Sequence, residues 1–224
     1  MSTIYLVRHA QASFGTDDYD RLSALGHRQA RWLGDHMATR GLRFTRALSG
    51  TMRRQRETAE NILSALDAPP PVVLEHPGLN EYDGDAIYRA FTAGADQIAH
   101  QRRDYRDYWK TFRLAMLAWA DGSLEGVPET WAAFGDRMLD GLREAAAGLS
   151  RDDAALVVSS GGAISRVLTG LIQAPAAVAI ELNLQFRNTG FCELVSVRDG
   201  FRVVSFNCIP HLEHPDRADA ITHA

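Results

Sequence analysis

Apolar positions along the chain fall into two rhythms. Short β-branched or aliphatic runs occur at residues 3–7 (TIYLV), 46–49, 72–75 (VVLE) and 155–159 (ALVVS). Runs this short and apolar predict buried strands. Between them apolar residues recur every three or four positions, which predicts helices. Leu25, Ala30, Leu33 and Met37 mark a helix over 24–40, with Ser23 as its cap and Gly41 as its stop. Further helices are predicted over 52–66, 129–149 and 162–172, and a short one from Pro175. Residues 11–23 and 76–85 are polar and turn-rich, hence loops. Residues 87–121 read as helical with a break near Gly94. Two apolar runs, 191–197 and 201–206, flank Asp199-Gly200, which signals a hairpin. The last fourteen residues are polar and are expected to be loose.

Strands alternating with helices predict an α/β fold. The expected architecture is a three-layer α/β/α sandwich with a mostly parallel central sheet and an antiparallel C-terminal edge hairpin. The helical stretch 87–125 reads as a cap inserted into a single domain spanning residues 1–224.

Composition narrows the function classes. An apolar fraction of 46% and a charged fraction of 23% are those of a globular chain, not a disordered or fibrous one. The net charge of −4 argues against general nucleic-acid binding, which needs a basic footprint. No apolar run approaches the eighteen residues of a membrane span, and the first ten residues lack a basic-then-apolar leader pattern. The expectation is a cytoplasmic protein with no membrane partner. Cys192 and Cys208 make neither a disulfide framework nor a zinc site, and His211 and His214 read as surface residues of a polar tail; no metal is expected. In residues 101–113 (QRRDYRDYWKTFR) basic and aromatic residues interleave, but Asp104 and Asp107 offset the arginines. Tyr105, Trp109, Phe112, Met116 and Trp119 fall at helical spacing, so the segment reads as a buried aromatic stripe with a charged outer face. As part of a cap it would set substrate choice.

Four constellations could carry chemistry. Arg8-His9 stands where the first strand ends, the place where α/β sheets meet ligands. In SGTMRRQRETA (49–59), Arg53, Arg54 and Arg56 crowd the first turns of a helix. The helix dipole disfavours cations there, so a shared anion would explain them. Glu81, in LNEYDGD, is a loop carboxyl, and a neighbouring anion would raise its pKa and suit it to general acid catalysis. In VVSSGGAIS (157–165), a strand runs through Ser159-Ser160-Gly161-Gly162 into a helix, offering backbone N–H groups and hydroxyls to an anion. The serines do not fit a nucleophile elbow, and no P-loop lysine follows.

Taken in order, strand-RHA, a helix opening with RRQRETA, then LNE, then VVSSGG resemble the histidine phosphatase superfamily, the phosphoglycerate-mutase-like fold. LSALGHRQA (22–30), Asn188-Thr189 and PHLE (210–213) add to the resemblance, which runs from residue 3 to about residue 212. It implies that His9 is the phosphoryl acceptor and that Arg8 and Arg54 bind the phosphoryl oxygens, with Arg53 the adjacent alternative to Arg54. It implies that Glu81 protonates the leaving oxygen, that Ser160 and Gly161 belong to the phosphate pocket, and that no metal or cofactor is needed. The partner would be a small phosphorylated substrate.

The chain departs from the family pattern at three points. Ala10 replaces the glycine of Arg-His-Gly. Gly15 stands where the family often has a phosphate-binding asparagine, with Ser13 as a candidate replacement donor. Ser160 stands in place of the histidine of Ser-His-Gly-Gly, which removes a positive charge. Loss of one preorganised donor costs on the order of 10²–10³ in rate, enough to slow an enzyme without abolishing it. The main expectation is therefore a phosphohydrolase acting on a phosphate monoester. Two other readings stay open: a catalytically impaired phospho-ligand binding or scaffold protein, and a phosphoglycerate-type mutase.

Overall fold

The structure, a computed structural model, describes residues 1–13, 19–67, 72–93 and 105–223. In chain order the elements are β1 (Thr3–Arg8), α1 (Ala24–Thr39), β2 (Arg46–Ser49), α2 (Arg53–Leu63), β3 (Val73–Glu75), α3 (Gly84–Thr92), α4 (Tyr105–Ala120), α5 (Trp131–Ala146), β4 (Ala154–Ser159), α6 (Gly161–Leu171), α7 (Ala176–Gln185), β5 (Phe191–Val197) and β6 (Gly200–Val203). The strands form one sheet in the order β3-β2-β4-β1-β5-β6. The first four run parallel; β5 joins β1 antiparallel, and β6 joins β5 likewise. This is the expected mostly parallel sheet with an antiparallel edge.

Strand alternation sorts the core into two layers. Ile4 and Leu6 of β1 and Ala155 and Val157 of β4 face a cluster that includes Met116, Trp119, Phe134, Met138, Ile164 and Leu168. Tyr5, Val7, Leu156 and Val158 face the opposite way, onto Leu33, Met37, Ala59 and Ile62 of α1 and α2. A strand buried on both faces must be apolar at every position, which is why β1 and β4 are unbroken runs rather than alternating ones. Each buried aliphatic side chain contributes roughly 1.5–3 kcal/mol, so the central strands are the best anchored part of the fold.

The parallel strands end on one side of the sheet, and β1 and β4 are paired through Arg8↔Ser159. The segments leaving them, His9-Ala10 and Ser160-Gly161, are therefore neighbours by register alone.

The elements differ from expectation in three places. The C-terminal segment is anchored, not loose: Ile209, Leu212 and Ala220 are buried against Leu25 and Trp32. His211 is buried too, with its Nε2 2.8 Å from Thr189 Oγ1. Spaced apolar residues in a polar stretch, without helical periodicity, gave no signal of this. Second, β6 ends at Val203 rather than 206, because Val204 and Ser205 already turn their N–H groups to the Glu193 carbonyl. Third, the loop after β3 holds a short 3-10 turn over Pro77–Leu79, and α3 begins at Gly84, where Asp83 caps it by accepting from the Ala86 N–H. Gly94 and Gly15 lie outside the described residues. No helix among the described residues is long and apolar enough to cross a membrane.

Candidate active site

His9 is held from several directions before its side chain does anything. Its N–H donates to the Ser159 carbonyl at 2.8 Å, and its own carbonyl accepts from Asn188 Nδ2 at 3.2 Å. The next N–H, of Ala10, donates to Thr58 Oγ1 at 3.0 Å. Thr58 thus ties α2 to the turn that carries His9. Gln29 of α1 accepts from the Gln11 N–H at 2.9 Å. A Cβ at Gly26 would lie 2.2 Å from the Gln11 carbonyl oxygen, so only glycine lets α1 approach this closely. The residues that suggested the family at the level of sequence are the ones that fix this loop.

The imidazole geometry selects one tautomer. Nδ1 lies 2.8 Å from the Ala10 carbonyl, which can only accept, so Nδ1 carries the proton. Nε2 is then the lone-pair nitrogen, and it accepts from Arg54 Nε at 3.2 Å. Burial, reinforced by Arg54 and Arg8, holds the His9 pKa well below the usual range, so the ring is neutral. This neutral ring has its Nε2 lone pair turned to the Arg54 guanidinium at the cavity.

Helix geometry turns the two adjacent arginines in different directions. Arg54 is nearly buried and turns to His9, while its Nη1 pairs with Asp20 at 2.6 Å and its guanidinium lies 5.6 Å from the Tyr19 ring centre. Arg53 points outward, pairing with Glu57 at 2.7 Å one helical turn on. Arg8 is also buried; it donates through Nη1 to the Phe186 carbonyl. Its Nε is buried and meets no acceptor among the described residues. Desolvation lowers the Arg8 pKa to about 10, so it remains a cation at neutral pH.

Glu81 lies against the start of α6. Its Oε2 accepts from the Gly162 N–H at 2.9 Å and its Oε1 from the Tyr82 N–H at 3.2 Å. A Cβ at Gly162 would come within 2.6 Å of Glu81 Oε1 and 2.4 Å of the Tyr82 ring, so the glycine makes room for the acid. Burial raises the Glu81 pKa, outweighing the N–H bonds and the two arginines, which favour the carboxylate. Tyr82 is half-buried beside it and accepts from Asn183 Nδ2 at 3.3 Å, its phenol pKa raised by desolvation.

Arg8, His9, Arg54, Glu81 and Gly161 line one cavity of about 470 Å³. Tyr19, Tyr82, Trp109, Phe112, Asn183, Leu184 and His223 complete its wall. The aromatic stripe of α4 is therefore divided. Met116 and Trp119 enter the core, while Trp109 and Phe112 face the cavity, their rings 5.7 Å apart and edge to face. α3 supports them through Tyr88, stacked on Tyr108 at 5.0 Å. The side chain of Tyr105 lies outside the described residues.

The other sequence candidates are placed differently. Ser13 does not line the cavity; its hydroxyl donates to the Leu22 carbonyl at 3.1 Å. Ser160 is buried at the N-terminus of α6 and accepts from Gln55 Nε2 at 2.8 Å. His214 is exposed beside Asp216, apart from His211. Cys192 and Cys208 are free thiols, and burial pushes Cys192 up to about 12.

Sequence reasoning missed Gln55, Asp20, Asn183 and Arg137. Asp20 and Gln55 stood inside segments already singled out, but their direction depends on tertiary packing. Arg137, on α5, donates to the carbonyls of Gly78 (2.9 Å), Asn80 (2.7 Å) and Glu81 (3.4 Å) while both Glu129 oxygens hold its guanidinium. No local pattern marks such a residue.

Comparison with known proteins shows the family. Residues 4–209 match the model of the histidine phosphatase superfamily (branch 1). A 2,3-bisphosphoglycerate-dependent phosphoglycerate mutase of Mesorhizobium japonicum is 32% identical over 88 residues, 36% of this chain and 42% of that protein, so the match spans less than half of the relative. The fold resembles phosphoserine phosphatase of Entamoeba histolytica, with TM-score 0.64 and 19% identity over 95% of this chain and 100% of that one. It equally resembles phosphoglycerate mutase of Bacillus anthracis, with TM-score 0.64 and 20% identity over 94% of each chain. The chain belongs to the histidine phosphatase superfamily.

Proposed function

We propose that the protein is a phosphohydrolase that cleaves a phosphate monoester through a phosphohistidine on His9. The observation that carries this reading is the state of His9: protonated at Nδ1, unprotonated at Nε2, and with Nε2 against Arg54. A protein that only binds phosphate has no need of a neutral imidazole next to two guanidiniums, since a charged one would bind the anion better.

Nε2 attacks phosphorus and the ester P–O bond breaks. Arg8 and Arg54 take the phosphoryl oxygens, with the unpaired Arg8 Nε–H as one donor. Spreading charge over guanidinium forks is most of what phosphoryl transfer requires. Glu81, whose carboxyl pKa is raised by burial, gives a proton to the leaving oxygen and releases an alcohol. Water then attacks the phosphohistidine, the Glu81 carboxylate takes a proton from it, and the P–N bond breaks to free inorganic phosphate. Gly161 and the start of α6 add backbone N–H groups to the anion site. The wall of Trp109, Phe112 and Tyr82 meets the organic part of the substrate.

Hydrolysis is favoured over mutase chemistry by the cation count. Among the described lining residues Arg8 and Arg54 are the permanent cations, enough for one phosphoryl group. The test is release of phosphate from an aryl phosphate at mildly acidic pH with chelator present. His9→Ala must abolish it; equal turnover in that variant overturns the proposal. Phosphate binding without turnover in the parent would favour the phospho-ligand binding reading instead.

A further inference from the structure

We propose that Gln55 is a positioning residue for phosphoryl binding: its amide takes the lone pair of the Ser160 hydroxyl, so that the Ser160 O–H points to the phosphoryl group at His9. The inference rests on the phosphohydrolase reading above.

Gln55 follows Arg54 and is fully buried; Ser160 lies between Ser159, whose carbonyl accepts from the His9 N–H, and the cavity-lining Gly161. Ser160 therefore stands one residue behind the cavity wall, at the strand end that meets His9, and Gln55 stands behind Ser160. Gln55 Nε2 donates both to Ser160 Oγ at 2.8 Å and to the Leu79 carbonyl at 3.3 Å. The second bond fixes the orientation of the amide, because a flipped Gln55 would set its oxygen against that carbonyl. Ser160 must then act as acceptor towards Gln55, and its O–H has to point elsewhere. Among the described residues nothing takes that proton: Ser160 does not cap α6, and its hydroxyl meets no second partner. A buried hydroxyl next to the anion site, with its acceptor side occupied, is a preorganised donor.

The glutamine is seated for this contact at some expense. Its Oε1 is buried without a donor among the described residues and lies 1.9 Å from where a Cβ at Gly50 would stand. An unpaired buried amide oxygen is unfavourable, and the bonds to Ser160 and Leu79 offset that cost.

The test is a double-substitution cycle on the whole chain, read as orthovanadate affinity by calorimetry and as kcat/KM on an aryl phosphate. Ser160→Ala is expected to lower kcat/KM on the order of 10²-fold, as loss of a preorganised donor does. Gln55→Met keeps the volume without the N–H and is expected to lower kcat/KM and vanadate affinity about tenfold, but by less than about twofold in the Ser160→Ala background, the signature of coupled groups. Equal losses in both backgrounds, or no loss in either, overturn the proposal. Should Gln55→Met unfold, Gln55→Leu replaces it in the cycle: it removes the N–H without adding charge, so vanadate binding must weaken where Ser160 is present and change little in the Ser160→Ala background. Absence of any His9-dependent turnover in the parent contradicts the phosphohydrolase reading instead, and the vanadate cycle still decides the role of Gln55.

Discussion

Arg54 Nε lies 3.2 Å from His9 Nε2, so the nitrogen that would attack phosphorus is already hydrogen-bonded to the cation that would receive the phosphoryl oxygens. Burial first and this contact second hold His9 below its usual pKa, and the contact marks where the proposed phosphoryl group would sit. Removing the guanidinium has two opposed effects. It leaves the phosphoryl oxygens without a partner, and it raises the His9 pKa by relieving repulsion. The first dominates: Arg54→Ala is expected to lower kcat/KM roughly 10²–10³-fold, with Arg53→Ala close to parent. Steady-state kinetics on an aryl phosphate checks this, and equal losses at the two positions would refute it.

The pH profile follows from the directions of two shifts. His9 is useful only when neutral, and its pKa is held below the ordinary value, so the acid limb falls well below pH 6.5. Glu81 is useful only when protonated at the first step, and its pKa is raised, so the alkaline limb lies above the ordinary carboxyl range. A bell with a mildly acidic maximum is expected in kcat/KM. Glu81→Gln should remove the alkaline limb for substrates with good leaving groups and slow alkyl phosphates far more than aryl ones. A profile rising steadily to pH 9 would contradict these assignments.

Arg137 never meets the cavity that holds His9, yet it grips the carbonyls of Gly78, Asn80 and Glu81. Arg137→Met is expected to lower kcat roughly 10- to 100-fold with KM little changed, because misplacing a proton donor by about an ångström has that effect. It should also lower the melting temperature, since Glu129 loses its partner. An unchanged kcat would mean that the loop holds Glu81 without it.

Trp109 and Phe112 offer apolar surface to the leaving group. Trp109→Ala is expected to raise KM about tenfold for an aryl phosphate, as burial of apolar area suggests, and to affect a short alkyl phosphate much less. A uniform effect on both substrates would place Trp109 in cap folding instead.

Much of this site was legible in the sequence because its residues follow strand ends. Arg8-His9 and Ser159-Gly162 are adjacent whenever β1 and β4 pair in parallel, and apolar runs buried on both faces announce that pairing. Arg54 and Thr58 stand about one helical turn apart on α2, and both turn towards the segment that carries His9. Other parts depended on tertiary packing. Ser13, a candidate donor by its position in the sequence, donates to the Leu22 carbonyl, a partner that no local pattern shows. The C-terminal segment looked loose because burying Ile209 and Leu212 needs neither helical nor strand periodicity. Gln55 sat unremarked in a basic helix start, since nothing local turns its amide towards Ser160.

The central claim is that His9 carries the phosphoryl group. Acid-labile label from a radioactive aryl phosphate, trapped by alkaline quenching and mapped by peptide mass spectrometry, tests it most directly. The account predicts one phosphoryl group on His9 Nε2, absent from His9→Ala. Burst release of the alcohol should match it in amount. Turnover with no label on His9, or label on another residue, would contradict it.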